Sequence, residues 1–386
     1  MNENKQIPSL EQSRAAIDRI DRELVKLFCE RMAVAADVAD YKRAVGKPVT
    51  DAARERALLC KVSELAGEEM EAHVRTLYST ILSLSKAHQH QRLHTASELE
   101  NKIRTARAQT PAVFPSRAKV ACQGVEGAYS LKATEKLFAC PDVHFYKTFE
   151  DVFAAIDRGE CDYGVLPIEN STAGSVTQIY DLMSLHRFYI VRSLRLKVDH
   201  CLLAKPGTKL EEVKEVVSHQ QALSQCAGYL SRIEGVKTTE FPNTAKAAAF
   251  VKEAQNGVAA IANKSCAELY GLEVLDTAIQ DNANNYTRFI CISKKPEIYP
   301  GADRTSVILT IPHKPGSLSR LLSQIEAMHI NLTKLESRPI PGQDFEFLFY
   351  FDLESPIESP ALMHLLGELE STGESFRYLG TYREML

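Results

Sequence analysis

The sequence predicts a multidomain chain: an all-α three-helix segment, then an α/β segment, then an α+β segment of βαββαβ order. Three observations carry this reading. From Ser9 to about Arg43 apolar residues recur at three- and four-residue steps, with no Pro or Gly. From Lys119 onward short β-type runs alternate with helical stretches. Beyond Tyr299–Asp303 the order strand, helix, strand, strand, helix, strand completes the chain. A length of 386 residues suits about two to four domains.

In the first helix the apolar steps are Leu10, Ile17, Ile20, Leu24, Leu27, Val34 and Val38, which predicts one buried face. Arg14, Arg31 and Lys42 continue the same steps. Cations facing a core are costly unless an anion meets them there. At ~1.5 Å per residue Arg14 and Arg31 lie roughly 25 Å apart, too far for one small anion. Arg31 and Lys42 are about 16 Å apart, within joint reach of a compact dianion. Arg14 is thus expected to serve a second site, which implies a partner chain. The alternative is a solvated helix whose long side chains snorkel from the stripe's edge.

Gly46, Lys47 and Pro48 break that helix, and Thr50 or Asp51 caps a second one. A third is expected from about Glu71 past Gln91, its inward stripe Val74, Leu77, Ile81 and Leu84 or Ser85. Ser85 and Gln89, four apart, share a face. A polar, helix-prone stretch follows and ends in Thr110, Pro111, Pro115 and Ser116, a linker signal. The expected strands are then Lys119–Cys122, Tyr163–Pro167, Phe188–Leu196, Glu215–Ser218, Val258–Ala262 and Arg288–Ile292. Thr244–Ala254 and Ser265–Tyr270 are helical. The pattern favours mostly parallel sheets, whose ligands sit beyond the carboxyl ends of strands. Tyr299–Asp303 is a second linker. After it come strand Ser306–Ile311, helix Ser317–Ala327, strands Leu332–Arg338 and Glu346–Leu353, helix Pro360–Ser371 and strand Phe376–Thr381. The domains are accordingly 1–95, a linker at 96–117, 118–298 and 304–386.

Composition excludes several function classes. A net charge of −4 offers no basic field for nucleic acid or an anionic membrane. Apolar runs are too short for a bilayer span, and the start lacks a signal peptide, so a cytoplasmic location is expected. Nine cysteines without C-x-x-C spacing fit a reducing compartment. The eleven His form no metal-ligand pattern, so neither metal nor cofactor is expected.

The polar set Arg14, Arg31, Lys42, Asp51, Arg54, Glu55, Ser85 and Gln89 describes a pocket for a molecule with at least two negative groups. Such a site can catalyse by fixing a conformer and placing donors where charge develops. These residues, with the run Arg54-Glu55-Arg56, resemble the all-helical chorismate mutases, which rearrange chorismate to prephenate as dimers of intertwined three-helix chains. The resemblance implies that Arg31 binds a carboxylate and Arg14 does so from the neighbouring chain. Lys42 and Gln89 would donate to the ether oxygen, and Glu55 would take the substrate hydroxyl. Asp51, Arg54 and Ser85 would support them.

The middle segment carries Gly124-x-x-Gly127-Ala-Tyr-Ser130, Pro167-Ile-Glu169-Asn170-Ser171, Ser218-His219 with Gln225, and Asn285-Tyr-Thr287-Arg288-Phe289. These resemble prephenate dehydratase, which implies two lobes around a cleft and conversion of prephenate to phenylpyruvate. By resemblance Thr287 is closest to the chemistry. Asn170, Ser218 and Gln225 would bind substrate, with Ser130 and Thr172 as weaker candidates and Arg288 and Phe289 as part of the substrate motif. Glu169 is either an acid at the site or the partner of a nearby cation. Gln220 stands where the family usually has Pro.

The last segment resembles the ACT regulatory domain, through Lys314-Pro-Gly316-Ser317-Leu318 and Leu335-Glu336-Ser337-Arg338-Pro339. The implied effector is L-phenylalanine, held near Gly316, Ser317, Leu318, Asn331, Glu336, Ser337 and Arg338. Free N–H groups at a helix start suit its carboxylate. Glu336 would meet its ammonium or pair with Arg338. The usual Gly-Ala-Leu-Val reads Gly-Ser-Leu-Ser here.

In this order the three segments resemble a bifunctional chorismate mutase–prephenate dehydratase of phenylalanine biosynthesis, feedback-inhibited by phenylalanine and at least a homodimer. Two other readings stay open. In one only the dehydratase turns over and the helical segment dimerises the chain or senses chorismate. In the other the chain is a non-catalytic amino-acid sensor.

Overall fold

The computed structural model describes residues 9–47, 51–92, 97–340, 347–372 and 375–386. Pro48, Thr50 and Glu346, named above, lie outside the described residues. By contacts the chain divides into two compact units. One holds Met1–Glu100, Pro312–His329 and Met363–Thr372, and the other holds Asn101–Ile311, Ile330–Leu362 and Gly373–Leu386.

The first unit is helical. Helix α1 (Leu10–Val45) opens on a capping box in which Ser9 and Gln12 satisfy each other's backbone N–H, and Gly46 ends it at φ 66°. Asp51 caps α2 (Ala52–Arg92), accepting from the Arg54 N–H at 2.9 Å. Gly67, at φ 72° and ψ 166°, splits α2 into two runs, so the expected second and third helices join without a loop. On α1 the buried residues are Ala35, Ala36 and Ala39. The apolar stripe expected to be buried is instead 41% to 66% exposed, from Val38 to Leu10. Arg14 is exposed with it. The reason is length: a 36-residue helix spans ~54 Å, and neither run of α2 is as long. Among the described residues nothing covers this stripe.

Helix α3 (Glu98–Gln109) occupies the stretch expected to be linker. Its Leu99, Ile103 and Ala106 are buried at helical spacing, a short stripe hidden by the polar composition around it.

The second unit begins with β1 (Lys119–Gln123), α4 (Tyr129–Leu137), β2 (Asp142–Tyr146), α5 (Phe149–Asp157), β3 (Tyr163–Asn170), β4 (Gly174–Ser175), α6 (Thr177–Leu185) and β5 (Tyr189–Lys197). The chain then builds a separate five-stranded lobe from β6 (Cys201–Ala204), β7 (Glu215–Ser218), α7 (Gln220–Gln225), α8 (Ala227–Leu230), β8 (Lys237–Glu240), α9 (Thr244–Glu253), β9 (Val258–Ala262), α10 (Ser265–Tyr270) and β10 (Glu273–Thr277). It returns to the first lobe as β11 (Tyr286–Ser293) and continues into β12 (Arg304–Thr310).

Helix α11 (Ser317–Ala327) precedes β13 (Asn331–Pro339) and β14 (Phe347–Glu354), and α12 (Pro360–Thr372) precedes β15 (Phe376–Met385). The four late strands are ordered β13-β14-β12-β15, antiparallel throughout, and β15 runs on to pair with β5 in parallel. One sheet therefore spans β13-β14-β12-β15-β5-β11-β3-β1-β2.

Neither sheet is mostly parallel, contrary to expectation. Strand β1 is parallel to β2 and β3, but β11 is antiparallel to both β3 and β5. In the other lobe β7 is parallel to β8 and β9, whereas β6 opposes β9 and β10. The opposed direction of β11 follows from its return out of the second lobe. The second expected linker is also packed rather than exposed. Tyr299 is 5% exposed, its ring 4.9 Å from that of Phe114 in a core that includes Phe138 and Tyr163.

Strand β15 reaches β5 only because of Gly380. A bulge between β12 and β15 falls beside it, its φ is 138°, and an added Cβ would sit 2.2 Å from the Ile190 carbonyl oxygen. Gly380→Ala is expected to destabilise this unit by ~3 kcal/mol, read as a lowered urea midpoint. An unchanged midpoint would mean that the close approach is not needed.

Candidate functional site

Two polar sites form, one in each unit. In the helical unit α1 and both runs of α2 enclose a cavity of about 400 Å³. Arg31 and Lys42 enter from α1, Arg54 and Glu55 from the first run of α2, and Ser85, Lys86 and Gln89 from its last turns. Both Arg31 and Lys42 are half-buried, and Arg31 has a buried guanidinium nitrogen without a partner. Gln89 donates to Ser85 Oγ at 3.4 Å, as their shared face requires, and its own Oε1 is left unpartnered.

Lys86 was not among the expected residues. It lies 3.1 Å from Glu55 and holds that carboxylate in place. Its position four residues after Leu82, another lining residue, was the available signal. Among the described residues that line the cavity, Arg31, Lys42, Arg54 and Lys86 stand against Asp51 and Glu55, four cations against two carboxylates. The cavity complements a small dianion. Arg14 does not line it.

In the second unit the site gathers where β3 and β11 end against the other lobe. Cross-strand pairing sets Thr287 opposite Asn170. The Asn170 amide has a fixed polarity. Its Oδ1 accepts from the N–H groups of Thr172 and Ala173, at 3.0 and 2.9 Å. Its Nδ2 therefore points the other way, donating to Asn285 Oδ1 at 2.8 Å and Thr287 Oγ1 at 3.0 Å. The Thr287 oxygen accepts this bond, so its own hydrogen is free to be donated elsewhere. Asn170 is thus an orienting partner for the Thr287 hydroxyl.

The polarity propagates. Asn285 Nδ2 donates to Gln225 Oε1 at 2.9 Å, and His200 Nε2 lies 3.1 Å from the same oxygen. With that oxygen an acceptor, His200 carries its proton on Nε2, and burial lowers its pKa so that the ring stays neutral. Gln225 Nε2 has no partner. His200, Asn285 and Gln221, whose amide reaches 3.5 Å from Asn170 Oδ1, were missed as site residues. Asn285 sits inside a quoted motif; His200 gave no signal beyond being a lone histidine between lobes.

Several expected residues turn elsewhere. Glu169 and Arg288 alternate with Asn170 and Thr287 along their strands and so face the other side of the sheet. Glu169 pairs with Lys334 at 2.8 Å, the cation partner that one of its two expected roles called for. Arg288 is 9% exposed and bound by Asp352, Tyr382 and Glu384. Burial alone would lower its pKa, but Tyr382, Asp352 and Glu384 outweigh this and raise it.

Phe289 lies in the core, 2% exposed, packed with Phe114 and Tyr163. Ser218 is fully buried and donates to the Ile261 carbonyl at 2.6 Å, so it cannot donate to a substrate. Ser130 is buried in the first turn of α4 at the carboxyl edge of β1, and Thr172 is exposed with its N–H on Asn170.

The effector candidates are largely engaged. Glu336 accepts from Ser175 at 2.7 Å and lies 3.4 Å from Lys334. Arg338 forks onto Asp181 at 3.0 and 2.8 Å rather than meeting Glu336. Asn331 donates to Glu354 at 2.6 Å, and Ser337 is exposed. Gly316, Ser317 and Leu318 belong to the helical unit, where α11 starts at Gly316 without a side-chain cap.

Comparison with known proteins places each site within a matched domain family. Residues 13–90 match the family model for chorismate mutase type II, and residues 120–297 match that for prephenate dehydratase. The bifunctional chorismate mutase/prephenate dehydratase of Escherichia coli (strain K12) is 31% identical over 380 residues, covering 96% of this chain and 95% of that protein. Arogenate dehydratase 2 of Petunia hybrida is 39% identical over 285 residues, 69% of this chain and 72% of that one. A solved prephenate dehydratase from Arthrobacter aurescens, in complex with L-Phe, superposes with a TM-score of 0.63 at 27% identity, covering 68% and 89%. The chain is an enzyme with a mutase and a dehydratase domain, and it belongs to the bifunctional chorismate mutase/prephenate dehydratase family of phenylalanine biosynthesis.

Proposed function

We propose that the helical cavity rearranges chorismate to prephenate and that the cleft at Thr287 converts prephenate to phenylpyruvate. The observation that carries the dehydratase assignment is the Asn170–Thr287 contact at 3.0 Å, in which the hydroxyl oxygen accepts and its hydrogen is left to donate. In the reaction the ring hydroxyl leaves as water after taking up a proton. The ring carboxylate departs as carbon dioxide, and its bonding electrons complete the aromatic ring. Thr287 would serve the departing hydroxyl, while Asn170, Asn285 and Gln225 hold the donor array. Ser130 and Thr172 stay as neighbours that complete the pocket wall.

In the mutase cavity Lys42 and Gln89 would donate to the ether oxygen as charge builds there, Arg31 would bind a carboxylate, and Glu55, steadied by Lys86, would take the hydroxyl. Asp51, Arg54 and Ser85 would support them. Arg14 would complete a second copy of the site in a partner chain. The exposed stripe of α1 supports this homodimer, because its apolar residues are too many and too contiguous to face water.

The strand order β13-β14-β12-β15, which is 2-3-1-4 within a βαββαβ run, supports a ferredoxin-like ACT domain that binds L-phenylalanine as an inhibitor. Effector binding would exchange the present pairs of Glu336 and Arg338 for the ligand's ammonium and carboxylate. Nine unpaired cysteines support a reducing, cytoplasmic setting.

Chorismate supplied to the full chain, with prephenate and phenylpyruvate followed in time with and without phenylalanine, tests the whole reading. Lys42→Ala is expected to cut mutase turnover ~100-fold, about 3 kcal/mol, with dehydratase turnover retained. Equal loss of both would contradict separate sites. Thr287→Ala is expected to do the reverse, by roughly 100-fold or more; persisting prephenate consumption would refute the assignment. Leu24→Lys on the exposed stripe should yield monomers by sedimentation and abolish mutase turnover, and an active monomer would dismiss the shared site.

A further inference from the structure

The reverse face of the catalytic strand pair carries charges that the reaction does not use. Glu169 and Arg288 are cross-strand partners, one residue before Asn170 and one residue after Thr287. Both reach back to the late strands. Lys334 on β13 bonds Glu169 and also donates to Ser175 Oγ, each at 2.8 Å. Arg288 meets Asp352 of β14 at 2.5 Å, and Tyr382 and Glu384 of β15 at 2.8 and 2.9 Å. Ser306 of β12 donates to the same Asp352 carboxylate. Glu384 also takes Arg195, which pairs with Arg288 across β5 and β11.

Cohesion alone does not call for this arrangement. Taking a guanidinium and two carboxylates out of water costs several kcal/mol per ion, and apolar side chains of similar volume would hold the sheet as well. What the fork adds is direction. The ladder needs direction at this place, because the pairing of β3 with β11 shifts immediately after Arg288: Phe289 faces Pro167, and Ile168 is left over. A further slip of one residue would move Thr287 to the wrong face of the sheet.

We infer that Arg288 is a positioning residue for the dehydratase: anchored by Asp352, Tyr382 and Glu384 of the C-terminal strands, it fixes the register that presents Thr287 to Asn170. The same link lets any displacement of those strands reach the catalytic hydroxyl. A cavity of about 610 Å³ bordered by Glu169, Arg195, Arg288, Arg304 and Glu384 leaves room for the ion pairs to rearrange without repacking a core. The inference rests on Thr287 being the group that serves the leaving hydroxyl.

The test is a double-mutant cycle on the full chain. Asp352→Asn is nearly isosteric and weakens the anchor. It should lower dehydratase kcat at least tenfold, with KM changed by less than about threefold. Tyr382→Phe removes one hydroxyl, keeps the ion pairs and should lower kcat by a smaller factor. Placed on Thr287→Ala, either change should have no further effect on residual turnover, because the group it positions is gone. Unchanged kcat in Tyr382→Phe and in folded Asp352→Asn would overturn the inference. So would losses that multiply with that of Thr287→Ala. Full turnover by Thr287→Ala alone would instead overturn the catalytic reading beneath it.

Discussion

The dehydratase half depends on the orientation of one buried amide. Asn170 closes the turn after β3 with its oxygen, because two backbone N–H groups there need an acceptor. That requirement leaves its nitrogen as the only end able to face Thr287 and Asn285. The direction then passes through Asn285 to Gln225 and is closed by neutral His200. A backbone necessity thus sets the sense of a side-chain network that reaches from one lobe to the other. It also makes threonine a workable donor, since a hydroxyl already accepting one bond presents its hydrogen outward.

The helical unit is governed by a different constraint, an apolar surface without a cover. The exposed stripe of α1 is incompatible with an isolated helix in water. Of the three cations that continue the apolar steps of this helix, Arg31 and Lys42 line the cavity. Arg14, far along the rod, does not line that cavity. Burial of the stripe and use of Arg14 are therefore one question, and the homodimer proposed above would answer both.

Much of the fold was legible. Helix α1, strands β7 and β9, and helices α10 and α11 fall where spacing placed them. The missed strands β2 and β8 are half or more exposed, so they offer no apolar run. The packed Tyr299 segment was hidden because Pro and Gly mark a turn whether or not it is buried.

At the sites, motif membership located Asn170 and Thr287 but could not separate faces. Glu169, Arg288 and Phe289 sit in the same motifs and do structural work, since a strand sends alternate side chains to opposite sides. A bulge after Arg288 then disturbs even that alternation. Hydrogen-bond polarity, which makes the site chemically directed, depends on contacts between residues more than a hundred positions apart, such as Asn170 and Asn285.

The most direct measurement is dehydratase turnover by Asn170→Asp, with mutase turnover measured in the same preparation. A carboxylate keeps the size and still accepts the Thr172 and Ala173 N–H groups, but offers Thr287 an acceptor and turns its hydroxyl hydrogen inward. The account predicts loss of kcat of about 100-fold or more with intact folding and mutase activity. Dehydratase turnover close to that of the parent chain would contradict it.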